Sequence, residues 1–97
     1  MKRIITDKKL EQYFSITKEA LDKAKPAFDK TRLKQAEDFF DMANRYYQDA
    51  QYFLKKKEDA VLAFAALNYA HGWLDAGARI GLFKVKDSRL FTVDDKE

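Results

Sequence analysis

The chain has 97 residues and a mass of 11.4 kDa, with 19 basic side chains, 16 acidic ones, one histidine and no cysteine. This length allows a single domain over residues 1–97, and the absence of cysteine excludes disulfides, thiolate metal sites and cysteine catalysis. Three glycines and one proline are too few for the many turns of an all-β protein. We therefore expect an all-α cytoplasmic domain without a membrane span, a metal or a cofactor.

The basic residues are concentrated in the first third of the chain. Residues 1–34 carry 10 basic and 5 acidic side chains, whereas residues 35–97 carry 9 basic and 11 acidic ones. A locally basic surface attracts nucleic acids, although lysine-rich helix surfaces are also common because they are well solvated. Nucleic-acid binding therefore stays open as an alternative function. The basic side chains that could serve it are Lys2, Arg3, Lys8, Lys9, Lys55, Lys56 and Lys57.

The first predicted helix covers residues 7–24. Thr6 precedes it and supplies a typical N-cap oxygen. Leu10 and Phe14 belong to a series of apolar residues at steps of three and four, which predicts one buried face. Proline crowds the residue before it out of the helical conformation, so Pro26 ends this helix.

The second predicted helix covers about residues 32–57 and has the clearest pattern in the chain. Its apolar residues follow one another at alternating steps of three and four. They are Leu33, Ala36, Phe40, Ala43, Tyr47, Ala50 and Leu54. A second row, Phe39, Tyr46 and Phe53, lies beside the first at intervals of seven. The combined apolar arc is wider than a coiled-coil seam and predicts contacts with two neighbours.

The third predicted helix, about residues 59–83, is apolar over most of its circumference. Asp59 is its expected N-cap, so the turn before it is tight and the second and third helices are antiparallel neighbours. A helix this apolar is expected to be the most buried element of the fold. The predicted buried face is centred on Leu62, Ala66, Tyr69, Ala70, Trp73, Gly77 and Ile80.

All three glycines, Gly72, Gly77 and Gly81, fall within ten residues of this predicted helix. Each opposes a helix by about 1 kcal/mol relative to alanine, so we expect them to allow the close approach of another element. The aromatic row of the second helix is the expected filler, and a ligand groove is the less favoured alternative. The predicted close-packing groove consists of Ala66, Ala70, Gly77 and Gly81.

A narrow polar strip also follows the third helix. It consists of Asn68, His71, Asp75 and Arg79. His71 to Asp75 and Asp75 to Arg79 are both steps of four, so these side chains are neighbours on the helix surface. We interpret the strip as a solvent-facing ladder of ion pairs. The alternative is an active site with His71 as an oriented general base, whereas a metal site would need at least one further ligand.

The tail, residues 84–97, shows no helical pattern but contains Val85, Leu90, Phe91 and Val93. These side chains are too apolar for a free tail, so we expect a non-helical strap that folds back over the third helix, with a turn at Asp87 and residues 94–97 frayed.

The segment YAHGWLDAGARIGLF at residues 69–83 resembles the signature of a short archaeal family known as domain of unknown function 357. The segment YQDAQYFL at residues 47–54 is similar to that family's second conserved block. The resemblance implies a compact three-helix bundle. It implies no activity, substrate, cofactor or catalytic residue.

We thus expect an antiparallel three-helix bundle with an apolar C-terminal strap and no enzymatic activity. The leading hypothesis is a protein-interaction module that binds a partner protein or a second copy of itself, because the third helix has more apolar surface than two short neighbours cover. Nucleic-acid binding is the second hypothesis, and an enzyme that uses the polar strip is the third.

Overall fold

Three helices account for most of the chain in this computed structural model, which describes residues 4–93. They are α1 (Asp7–Ala24), α2 (Leu33–Lys57) and α3 (Ala60–Arg79), and two short 3-10 turns connect α1 to α2. The helices α2 and α3 form the most extensive pair, and α1 packs on both, mainly on α3. The predicted all-α three-helix bundle is confirmed.

The connector between α1 and α2 is fixed by one buried carboxylate. Asp29 accepts hydrogen bonds from the backbone N–H and the hydroxyl of Thr31, at 3.0 and 2.8 Å, and lies 3.2 Å from Nε of Arg32. The backbone N–H of Asp29 in turn donates to the carbonyl of Leu82, at 2.8 Å. This residue therefore ties the start of α2 to the segment that follows α3.

The seam between α2 and α3 is built from small residues. On α2, Ala36, Ala43 and Ala50 recur at intervals of seven and are fully buried. On α3, Ala63 and Ala70 are also fully buried, so the two helices can lie close together. The larger side chains are thereby displaced to the two flanks of the seam.

The turn between α2 and α3 is tight, as predicted. Glu58 takes the left-handed conformation with φ 52°, and the N–H of Asp59 reaches back to the carbonyl of Phe53 at 3.0 Å. The side chain of Asp59 accepts from the N–H of Leu62 and thus caps α3. The backbone N–H and carbonyl groups at both helix ends of this turn thus find hydrogen-bond partners within a few residues.

The helix α3 ends at Arg79, and the prediction that it continues to Phe83 is wrong. Gly81 has φ +82°, a left-handed conformation that suits glycine after a helix end, and the N–H of Leu82 bonds to the carbonyl of Gly77 at 2.8 Å. The chain then turns back, so that Phe28 and Phe83 form an isolated antiparallel bridge.

The predicted close-packing groove of Ala66, Ala70, Gly77 and Gly81 is only partly correct. Gly77 does allow close approach, but the ring that fills its space is Phe83 and not an aromatic side chain of α2. Gly81 lies beyond the helix and serves the turn. Gly72 faces open space, with no atom of the described residues within 4 Å of the position that a Cβ would take, so packing among these residues does not explain it.

The segment after α3 folds back over the bundle as a non-helical strap, as predicted. Leu90 and Phe91 are 2% exposed and join the core cluster to which all three helices contribute. The predicted turn is present: the carbonyl of Asp87 accepts from the N–H of Leu90, and its side chain accepts from the N–H of Arg89. The predicted fraying of residues 94–97 lies outside the described residues.

Candidate functional site

Two side chains of the polar strip of α3, His71 and Asp75, contact the C-terminal strap. Nε2 of His71 lies 2.6 Å from the carbonyl oxygen of Leu90, and Nδ1 lies 3.2 Å from the hydroxyl of Thr17. The carboxylate of Asp75 accepts from the backbone N–H of Thr92 at 2.9 Å. The interpretation as a solvent-facing ladder of ion pairs is therefore wrong for these two side chains, because the strap supplies their partners.

The hydrogen bonds of His71 assign the roles of both ring nitrogens. A carbonyl oxygen can only accept, so Nε2 donates its proton to Leu90. In the neutral ring, Nδ1 is then an acceptor, and the hydroxyl of Thr17 donates to it. Nε2 also lies 4.0 Å from the carboxylate of Asp75. Both nitrogens are engaged in holding α1, α3 and the strap together, and a general base would need one of them for a substrate.

The other two members of the strip, Asn68 and Arg79, lie at its two ends. The side-chain amide of Asn68 donates to the carbonyl of Phe64 on its own helix, at 3.1 Å. Arg79 lies in the last turn of α3 and is not among the residues that line the cavity between α1 and α3. That cavity, about 340 Å³, is lined by Tyr13, Ile16, Thr17, Asn68, His71, Gly72 and Asp75. Within residues 4–93, no three acidic or histidine side chains are grouped so that they could hold a metal ion.

An ion pair fastens the strap to α1. The two guanidinium nitrogens of Arg89 lie 3.2 and 2.6 Å from the two carboxylate oxygens of Glu19. This bidentate hydrogen bond lowers the pKa of Glu19 and raises the pKa of Arg89. The polar contacts between α1, α3 and the strap thus serve to attach the strap.

The main exposed apolar surface lies on the other flank of the α2–α3 seam. Two aromatic pairs cross from helix to helix there, Phe39 with Trp73 at 5.0 Å and Tyr46 with Tyr69 at 4.4 Å between ring centroids, both nearly perpendicular. They border two shallow cavities of about 320 and 360 Å³ that share Tyr69 as a lining residue. We call this surface the aromatic face. It comprises Phe39, Tyr46, Phe53, Leu62, Ala65, Tyr69, Gly72, Trp73 and Ala76.

The aromatic face is formed by α2 and α3 alone. On the opposite flank of the seam, α1 covers the larger side chains: Phe14 packs edge-on against Tyr47, and Tyr13 packs against Phe64. No residue of α1 lines the two cavities of the aromatic face. The prediction that the apolar arc of α2 contacts two neighbours is confirmed, since α2 packs against both α3 and α1. Within residues 4–93, only α2 and α3 line the cavities beside the second aromatic row.

The predicted centre of the buried face of α3 is only partly correct, because Ala66, Ala70 and Gly77 are buried but three larger members are exposed. Leu62 is 46% exposed, Tyr69 56% and Ile80 52%, whereas the buried face is formed by smaller residues and two leucines. The buried residues of α3 are Ala63, Ala66, Leu67, Ala70, Leu74, Gly77 and Ala78. Periodicity cannot orient a helix that is apolar nearly all round. The sequence pattern did not identify Ala65, Gly72 and Ala76 as site residues. The usable signal was Gly72 itself, because a glycine within a helix opposes that helix and needs a reason.

The basic residues proposed for nucleic-acid binding gather at one end of the bundle. Leu10, Ala50 and Leu54 share one core cluster, so the start of α1 lies beside the end of α2. Lys8, Lys9 and Lys55–Lys57 are accordingly exposed at the same end, together with four acidic residues. These are Asp7, Glu11, Glu58 and Asp59. Lys2 and Arg3 lie outside the described residues.

Comparison with known proteins identifies one relationship. A family model described as "Protein of unknown function (DUF357)" matches residues 12–83, which include all three helices apart from the first turn of α1. No curated protein and no solved structure matches the chain. Among the described residues, no helix has the length and apolar character that crossing a membrane requires.

Proposed function

The chain belongs to the DUF357 family of proteins of unknown function, and we propose that it acts as a non-enzymatic docking module whose aromatic face binds a helical protein segment. One observation carries this proposal. The α2–α3 seam has aromatic side chains on both flanks, and α1 covers only one of them. The open flank repeats the arrangement that α1 already occupies on the other side.

The chemistry of the aromatic face suits protein binding. Tyrosine, tryptophan and phenylalanine are enriched at the centres of interfaces, and charged residues are depleted there. Among the described residues, Asp49 is the single charged one that lines the two cavities. Soluble monomers rarely leave a contiguous apolar surface of this kind without a use for it. The polar strip supports an enzyme less well, because its histidine and aspartate are engaged with the strap.

A photocross-linking experiment tests the docking site. Benzoylphenylalanine in place of Ala65 puts a reactive group on the aromatic face, and the same group in place of Gln48 puts it on the outer surface of α2, since both positions are exposed. We expect irradiation in an extract of the source organism to give a discrete adduct from position 65 and none from position 48. Equal labelling from both positions, or none from either, would contradict the proposal.

Nucleic-acid binding is the alternative function, supported by the five lysines that the fold brings to one end of the bundle. Such binding would weaken steeply with added salt because phosphate contacts release counterions. Fluorescence anisotropy with labelled RNA and DNA at low salt measures it. A change of Lys8 and Lys56 to glutamine would weaken binding if this end is the site, whereas the double change of Lys18 and Lys34, which are exposed elsewhere, would not.

A further inference from the structure

We infer that the occupant of the aromatic face is a second copy of this chain, with the two α3 helices packed antiparallel about a two-fold axis that passes between Tyr69 and Gly72. This inference rests on the proposed docking function and names its partner. A two-fold interface places the same patch on both copies, so the patch must be complementary to itself.

The order of large and small side chains along α3 meets that requirement. In an antiparallel pair centred between Tyr69 and Gly72, the Tyr69 ring of one copy lies over Gly72 of the other. The same register places Ala65 opposite Ala76, and Leu62 near Ile80, so that large residues at the ends and small ones between them match in both directions. The Tyr69 ring then fills the space that Gly72 leaves, as close packing requires.

Gly72 gives this register a physical reason. A glycine within a helix costs about 1 kcal/mol relative to alanine. Among residues 4–93, nothing lies within 4 Å of the Cβ that Gly72 lacks, so packing within this part of the chain gives the glycine no role. An aromatic ring from a second copy would use that space. Gly77, in contrast, is fully explained by Phe83.

The α2–α3 surface that contains the aromatic face approaches the size that a dimer interface needs. With a rise of 1.5 Å per residue, α3 extends about 27 Å from Leu62 to Ile80, and two adjacent helices are about 20 Å wide. This gives a flat footprint of about 540 Å², and the accessible area of a corrugated surface is larger than its footprint. Stable interfaces bury about 800 Å² on each partner, roughly an eighth of the 6674 Å² that this chain exposes.

The dipoles of the two α3 helices favour the antiparallel arrangement. In an antiparallel pair, the positive N-terminal end of each helix lies beside the negative C-terminal end of the other. A parallel pair would place the like ends together.

Sedimentation velocity on the full chain tests the dimer. From about 1 to 300 μM, we expect a concentration-dependent shift from monomer to dimer, with a blue shift in the emission of Trp73, the single tryptophan. Gly72→Lys should abolish both changes without unfolding the chain, because a side chain at position 72 meets nothing internally. Gln48→Lys, which adds the same charge on the outer surface of α2, should dimerise like the wild type. Dimerisation of Gly72→Lys would overturn the inference.

Disulfide trapping tests the register, since the chain has no cysteine of its own. We expect an equimolar mixture of the Ala65→Cys and Ala76→Cys variants to form a mixed disulfide dimer faster than either variant alone, because these positions face each other only in the antiparallel pair. Preferential 65–65 linkage would overturn the arrangement.

The two proposals fail separately. A wild-type chain that stays monomeric throughout the concentration range overturns the second copy as the occupant. If photocross-linking from position 65 then yields an adduct with a different protein, the docking function stands with another partner. If it yields no adduct, the docking function fails as well.

Discussion

The ring of Phe83 occupies the space directly beside Gly77, so that a Cβ at position 77 would lie 2.7 Å from Cδ2 of the ring and still closer to Cε2. Phe83 is 1% exposed and also packs against Phe28, with the ring centroids 5.6 Å apart. The ring therefore closes the end of the bundle where the connector, the end of α3 and the strap meet.

We expect Gly77→Ala to lower the free energy of unfolding by about 1 to 3 kcal/mol, the usual cost of overpacking a dense core. The ring of Phe83 cannot retreat, because Phe28 lies on it and its own backbone is bonded to Gly77. Urea unfolding followed by circular dichroism measures the loss. In a Phe83→Leu background, the same change should cost less, and an identical cost in both backgrounds would show that the contact does not matter.

We expect the opposite sign at Gly72. Gly72→Ala should raise the free energy of unfolding by about 1 kcal/mol at low protein concentration, because alanine favours the helix and the new methyl group meets nothing in the part of the chain that the structure describes. The same urea titration measures the gain. A loss of stability at concentrations where the chain is monomeric would mean that position 72 is packed internally after all.

The contact between Asp75 and Thr92 is expected to hold the end of the strap. Asp75→Ala removes the acceptor of the Thr92 N–H, a hydrogen bond to a charged group, and should lower the free energy of unfolding by about 1 kcal/mol. Hydrogen exchange of the Thr92 amide, followed by NMR, should accelerate by about tenfold or more. Asp75→Asn keeps a carbonyl oxygen at the same place and should retain most of the protection. Unchanged exchange in Asp75→Ala would disprove the role of this contact.

The carboxylate of Asp29 makes folding stability depend on pH in the acid range. Hydrogen bonds from the backbone N–H and hydroxyl of Thr31, and then the Arg32 guanidinium, lower its pKa from 3.8 to about 2. A lowered pKa in the folded state means that the stabilisation is complete above about pH 4 and is lost as the pH falls towards 2.

Asp29→Asn should remove this part of the pH dependence. The difference in the free energy of unfolding between wild type and Asp29→Asn should shrink as the pH is lowered from about 4 to about 2. A constant difference for Asp29→Asn across this range would contradict the assignment.

The amino-acid sequence determined the helices that have a polar side and a clear cap. Thr6, Pro26 and Asp59 mark helix ends by local chemistry, and these ends lie where they were predicted or within a few residues. The two apolar rows of α2 predicted its two apolar flanks. On a helix that is otherwise polar, the spacing of the apolar residues shows which sides are buried.

The tertiary structure decided what periodicity could not. Because α3 is apolar nearly all round, only packing against the alanine seam of α2 and against α1 fixes its rotation, and that rotation leaves Tyr69 outside and Leu74 inside. The tertiary structure also gives each glycine a different surrounding. Gly81 forms a turn, Gly77 contacts the ring of Phe83, and Gly72 faces open space. His71 and Asp75 likewise acquire their partners from the strap, about 20 residues away along the chain, and contacts over that distance exist only once the chain has folded.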